Sequence, residues 1–268
     1  MICDAHVHVG WYYRSNGGEE NGKGLDCYYS PQLISNILKA SGVEEFIFSS
    51  LSCQCQDAID IVEQEALEVV AIFGEGAHPF YWCTGALYDF DPYFKVLDKG
   101  IWQGVKIHEL ETPWVKKRPR DLDRMLSVLE ERNVPVQIHT GEFEGCYPLE
   151  LLPFVLKHPQ LRVDFAHCRP HKETISCMKM CPNLFTDTAF MPVEYYKELV
   201  DAGLEDRVLF GTDFPIQGAY YKGELKNLYE QELARVINAK YSEKTLSRNF
   251  HTFLGEMRFS QYMKRMQI

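Results

Sequence analysis

What the sequence lacks narrows it first. It holds nine cysteines but no C-x-x-C pair. An odd number of scattered thiols makes neither a disulfide framework nor a paired zinc motif, so reduced thiols in a cytoplasmic protein are the expectation. Cys53 and Cys55 form a C-x-C with no partner ligands nearby in sequence, so no metal is expected there. No G-x-G-x-x-G follows the first strand-like run, which argues against a dinucleotide-binding open sheet. No stretch approaches the roughly 20 apolar residues of a membrane span, and no leader-like segment precedes that first run. Positive charge is not in excess: the net charge is -10, against nucleic acid or an anionic membrane as the main partner. Low-complexity tracts and linker-like segments are absent too. A small-molecule substrate is the remaining expectation, and 268 residues suit a single domain over 1–268.

What is present alternates. Short runs rich in β-branched and aromatic residues fall at 2–9, 45–50, 68–73, 104–108, 135–139, 162–167, 184–188 and 207–212, as buried strands do. Helical patterns lie between them. The segment 31–40 has Ser30 as a candidate N-cap and Gly42 near its stop. The segment 121–132 repeats Leu122, Met125, Leu126 and Leu129 on one face. Further helices are expected over 56–66, 148–157, 171–180, 192–202, 224–239 and 243–254. Strands each followed by a helix predict a closed parallel (β/α)8 TIM barrel, whose sites gather at the C-terminal strand ends. The loops 10–29 and 74–101, rich in aromatics and glycine, would both stand on that face.

The chemistry-bearing residues fall at those ends. In Asp4-Ala5-His6-Val7-His8, residues two apart share a strand face, so Asp4, His6 and His8 are expected to point together into the barrel. His139 ends the fifth run, His167 the sixth and Asp213 the eighth. Interior polar groups without partners cost about 1–3 kcal/mol each. Unrelated accidents at matching strand ends are therefore a poor explanation of this set.

The motifs D-A-H-V-H, Q-I-H-T-G, F-A-H-C and G-T-D-F-P, with a closing helix ending in Asn249 and Phe250, resemble the amidohydrolase superfamily. Within it they resemble the amidohydrolase-related branch that includes aminocarboxymuconate-semialdehyde decarboxylase. The resemblance covers nearly the whole chain. It implies one divalent metal on His6, His8, His139 and Asp213, most readily Zn²⁺, with Mn²⁺, Fe²⁺ or Co²⁺ as other choices. It places His167 beside the metal, as a further ligand or a proton-handling group. In some superfamily members a carbamylated lysine on the fourth strand bridges two metals. Lys106 lies deep for that role, and one metal is expected. Asp4 either supports His6 or pairs with Lys106.

A zinc ion lowers the pKa of a water to about 7. The first expectation is therefore a hydrolase that attacks an ester, lactone or amide carbonyl, with Asp213 and His167 as the catalytic pair. A metal-dependent nonoxidative decarboxylase of an aromatic or unsaturated acid is the alternative, and a non-catalytic metal- or ligand-binding barrel is the third. Substrate-side candidates are Arg14 after the first strand, His78 after the third, His108 at the end of the fourth, and Arg169 and His171 after the sixth. An arginine here could grip a substrate carboxylate in a bidentate pair. Trp11 to Tyr13, Glu109, Trp114 and Glu142 occupy the same loops. The family's barrels are often dimers, so a homodimer is compatible with this reading.

Overall fold

The computed structural model describes residues 1–12, 27–54, 59–83, 96–109, 113–221 and 223–255. Its strands are β1 (Cys3–Tyr12), β2 (Cys27–Tyr29), β3 (Glu45–Ser50), β4 (Ala77–Cys83), β5 (Gly104–Ile107), β6 (Val136–His139), β7 (Val163–Ala166), β8 (Leu184–Asp187) and β9 (Val208–Leu209). They form one sheet in the order β2-β1-β3-β4-β5-β6-β7-β8-β9. Only β2 runs antiparallel, as a partner of β1. The rest pair in parallel. Backbone hydrogen bonds Ala5 N to Phe210 O, Asp213 N to His6 O and His8 N to Phe214 O, each 2.7 Å, join the last strand to the first. The result is the (β/α)8 barrel that the alternation predicts. No helix among the described residues is long and apolar enough to cross a membrane.

The principal helices are α1 (Pro31–Ala40), α2 (Ile59–Phe73), α3 (Pro119–Glu131), α4 (Pro148–Val155), α5 (His171–Met180), α6 (Val193–Asp201), α7 (Leu225–Asn238) and α8 (Asn249–Leu254). Ser30 caps α1, its hydroxyl accepting from Leu33 N at 3.2 Å. In α3 the stripe Leu122, Met125, Leu126 and Leu129 is buried, as its spacing requires.

The third strand is not where the sequence pattern puts it. Residues 68–73 belong to α2, in which Val62, Glu65, Ala66 and Val69 are buried at helical spacing. Valine at 69 and 70 raises β-propensity locally, but the longer 3.6-residue period prevails. The strand is β4, Ala77–Cys83, inside the segment read as a loop. His78 therefore lies near the start of that strand, at the end of the barrel opposite the expected site. It is held there by Gln103 at 2.7 Å and Glu45 at 2.9 Å. The expectation that His78 binds substrate fails for this reason.

The alternation along β1 also breaks. The β1–β3 register shifts between Asp4 and Val7. Ala5 joins Ile47, Phe80, Phe185 and Leu209 in a floor that Phe250, Phe253 and Leu254 of α8 plug from below. Asp4 instead reaches Tyr229 of α7, whose hydroxyl donates to it at 3.0 Å. Asp4 also accepts from His6 N, Thr212 N and Thr212 Oγ1 at 3.0, 3.1 and 2.7 Å. It does not share the face of His6 and does not pair with Lys106. It ties the His6 backbone to the segment carrying Asp213.

Candidate metal centre

The strand ends bring His6, His8, His139, His167 and Asp213 together, all buried. Ligand-capable atoms of His6, His167 and Asp213 lie within 4.8 Å of one another. Asp213 Oδ1 is 2.9 Å from His8 Nε2 and 3.3 Å from His6 Nε2. His139 stands next to this group, with Nδ1 3.0 Å from His167 Nε2. Three residues here, His167, Cys168 and Asp213, have φ of 72, 53 and 58°. Left-handed backbone at non-glycine residues costs energy and persists where the surroundings enforce it, as at functional sites.

Hydrogen bonds hold the orientation of each ring. His6 Nδ1 donates to Asp187 Oδ2 at 2.8 Å, and its Nε2 lies 3.0 Å from Lys106 Nζ. His8 Nδ1 lies 3.2 Å from the carbonyl and 3.0 Å from the hydroxyl of Ser49, which turns its Nε2 toward Asp213 Oδ1 in either tautomer. His167 Nδ1 donates to Ala189 O at 3.3 Å, so its Nε2 accepts from His139 Nδ1. That leaves His139 Nε2 as a buried lone pair with no hydrogen-bond partner among the described residues.

Electrostatics keep this pattern. Burial pushes His8, His139 and His167 below the usual histidine range, so they are neutral at neutral pH. Burial alone would raise Asp213 and Asp187. For Asp213 the neighbouring His6 and the hydrogen bond with His8 outweigh it, and for Asp187 His6 and the backbone N–H of His167 do, so both carboxyls stay ionised. Nε2 of His6 and Nε2 of His8 thus converge on one carboxylate oxygen of Asp213. Imidazole nitrogens and a carboxylate oxygen gathered at one point are ligands a divalent cation takes. His6, His8, Asp213 and the open lone pair of His139 are a suitable donor set for a divalent ion of the zinc type.

Beneath lies a polar layer of which the sequence pattern singles out Lys106 but not Gln137, Asp164 or Asp187. Lys106 Nζ is 3.0 Å from His6 Nε2 and 3.0 Å from Gln137 Oε1. Gln137 Nε2 donates to Asp164 Oδ2 at 2.8 Å. Burial, helped by Asp187, raises the Asp164 carboxyl well above its usual range and keeps it protonated. Burial lowers Lys106, while Asp187, Asp213 and Asp164 oppose that. Asp187 also accepts from His167 N at 2.9 Å and Ala189 N at 3.0 Å. Such partners fix the orientation of ligand rings. Asp187 ends its strand just as His139 and Asp213 end or follow theirs, and that position was the signal for it.

A family model described as amidohydrolase matches residues 97–251. The chain belongs to the amidohydrolase family. By sequence, no curated protein matches it. Solved structures resemble it across the whole fold. A zinc-bound amidohydrolase from Burkholderia multivorans is 14% identical with a TM-score of 0.67, covering 95% of this chain and 99% of that one. A probable 2-pyrone-4,6-dicarboxylic acid hydrolase from Acinetobacter baumannii, with citric acid bound, gives 12%, 0.66, 95% and 99%. A 5-carboxyvanillate decarboxylase from Sphingomonas paucimobilis gives 11%, 0.62, 94% and 98%. At such identities the likeness shows the fold, and it does not separate hydrolase from decarboxylase.

Around the centre of this amidohydrolase, the substrate-side candidates separate. His108 stacks on His139 with ring centroids 3.9 Å apart, and Trp82 stacks on His108 at 5.8 Å. Burial, with Lys106 nearby, lowers His108 to about 3, so it too is neutral. Arg169 donates to Glu142 from Nη1. His171 stacks on Tyr195 at 3.6 Å. Arg169, His171 and Glu142 line an open cleft of about 430 Å³ between the segments that follow β6 and β7. Trp11 packs on Tyr28, with centroids 4.9 Å apart. Arg14, Tyr13 and Cys55 lie outside the described residues.

Proposed function

We propose that this amidohydrolase-family enzyme is a metal-dependent hydrolase of a small-molecule ester, lactone or amide, and that its metal sits on His6, His8, His139 and Asp213. The supporting observation is the convergence of His8 Nε2 and His6 Nε2 on one Asp213 oxygen, 2.9 and 3.3 Å away, beside the unpartnered Nε2 of His139. Zn²⁺ suits the nitrogen-rich set best. When bound, the ion supplies Lewis acidity toward a water or a carbonyl.

The chain's own groups do the rest. Asp213 is ionised and partly reachable, so it takes a proton from water and returns it to the leaving group. His167 has one nitrogen engaged by Ala189 O and the other by His139. Its role in this arrangement is to set the His139 ring. Asp187 sets the His6 ring from the opposite side. Arg169 and His171 offer the adjoining cleft positive and hydrogen-bonding groups for a substrate's polar end.

A second reading rests on one specific observation. Trp82, His108 and His139 form a nearly parallel stack, and Phe143 stands 6.2 Å from His108 and 6.4 Å from His139. A flat aromatic wall suits a planar conjugated acid, and so favours decarboxylation. Metal analysis and a turnover screen separate the two readings. The screen compares lactones, esters and amides with aromatic carboxylates, before and after chelation. Chelator-sensitive hydrolysis supports the first reading and CO₂ release supports the second. Turnover indifferent to a chelator, in protein free of metal, overturns both.

A further inference from the structure

A second group of metal-capable side chains lies at the opposite end of the barrel. Cys3 begins β1, Glu45 begins β3, and the two are register partners in adjacent parallel strands, so their side chains leave the sheet on one face. His251 comes from α8, the helix that plugs the floor. One ligand atom of each lies within 4.8 Å of the others. Glu45 Oε1 is 3.4 Å from His251 Nε2.

The carboxylate is held for this orientation. His78 Nε2 donates to Glu45 Oε2 at 2.9 Å, and the other nitrogen of His78 bonds Gln103 at 2.7 Å. That hydrogen bond from His78 keeps Glu45 below the usual carboxylate range, so it is ionised. A carboxylate steadied on one oxygen, leaving the other toward a thiol and an imidazole, is how metal ligands are commonly oriented. The Cys3 thiol is fully buried, whereas His251 is 46% exposed, which gives an ion a way in.

We propose that Cys3, Glu45 and His251 form a second cation site, for Zn²⁺ or another thiophilic divalent ion. Sulfur, nitrogen and carboxylate oxygen are zinc's protein ligands, and water completes four-coordination. The Cys3 thiol gives its proton to solvent as the ion binds. The site ties α8 to β1 and β3, so its effect is on stability rather than turnover. It stands or falls independently of the centre at the mouth.

Cobalt(II) added to the metal-free full-length protein tests this. Thiolate bound to cobalt gives a near-ultraviolet charge-transfer band, which imidazole and carboxylate ligands at the mouth do not. The expected result is a band in the wild type that Cys3→Ser abolishes and His251→Ala weakens at least tenfold in cobalt affinity. His251→Ala changes an exposed residue and leaves folding intact, so it serves if Cys3→Ser folds poorly. The band should persist in Asp213→Ala, which removes only the upper centre. No band at saturating cobalt, or a band that survives Cys3→Ser or is unmoved by His251→Ala, overturns the proposal.

Discussion

The two ends of this barrel are built from the same strands and differ in what their side chains leave undone. At the base, Ala5, Ile47, Phe80, Phe185 and Leu209 meet Phe250, Phe253 and Leu254 in a closed apolar floor. His78 beside it has both ring nitrogens engaged. At the mouth, Nε2 of His6 and Nε2 of His8 converge on an ionised Asp213, and His139 Nε2 has no hydrogen-bond partner among the described residues. His78 at the base is spent on its neighbours, whereas His139 at the mouth has bonding capacity left for a ligand. Position along a strand therefore sorts identical residue types into structural and chemical roles.

The comparison breaks most sharply at Asp213. Asp213→Ala removes the carboxylate that faces Nε2 of both His6 and His8, and should cost at least about a thousandfold in turnover with loss of bound metal. Turnover and metal content per chain measure it. Unchanged values would mean that the mouth is no metal centre. Phe253→Ala at the floor should act oppositely. Phe253 is fully buried against Phe80 and Phe185, and its truncation should cost about 3–5 kcal/mol of stability. A denaturant midpoint together with kcat checks this, since kcat of the folded variant should stay near the wild-type value.

Asp187→Asn comes next and sharpens what counts as the mouth. Asp187 is fully buried, and it holds the His6 ring and the His167 backbone. Weakening that hold should lower metal affinity by about 10–100-fold, as read by competition with a chelating dye. An unchanged affinity would show that the His6 ring is oriented by packing alone.

How much of this was legible follows the same division. His6 and His8 were visible as an H-x-H within the first strand-like run. His139, His167 and Asp213 were visible because each sits at or just beyond the end of its run, and the fold brings such ends together. Asp187 had the same signal but sits within an ordinary-looking L-F-T-D-T. Asp4 misled because strict alternation does not survive a register shift, which the residue types of β1 do not announce. His78 misled through the strand before it: two valines in 68–73 imitate a strand, while Pro79 in β4 lowers its apparent strand propensity. The ring orientations depend on Ser49, Ala189 O and Asp187, contacts remote in sequence that only the folded chain reveals.

The smallest expected effect tests whether nearness to the mouth is enough. Glu109 directly follows His108, but its carboxyl accepts from Val115 N at 3.1–3.2 Å and is buried away from solvent. Burial pushes it up to about 8, whereas an unfolded chain's glutamate titrates near 4.3. Between those values the folded state keeps a proton that the unfolded state has released, so stability falls as pH rises from about 5 to 8. Glu109→Gln preserves an acceptor for Val115 N and removes the titration. It should therefore flatten the stability profile over that window, with the gain at pH 8, while metal content stays as in the wild type. Denaturant midpoints at pH 5 and pH 8 measure the slope. If the variant lost metal instead, Glu109 would belong to the centre, and the boundary between satisfied and unsatisfied groups would lie farther from the mouth than His108.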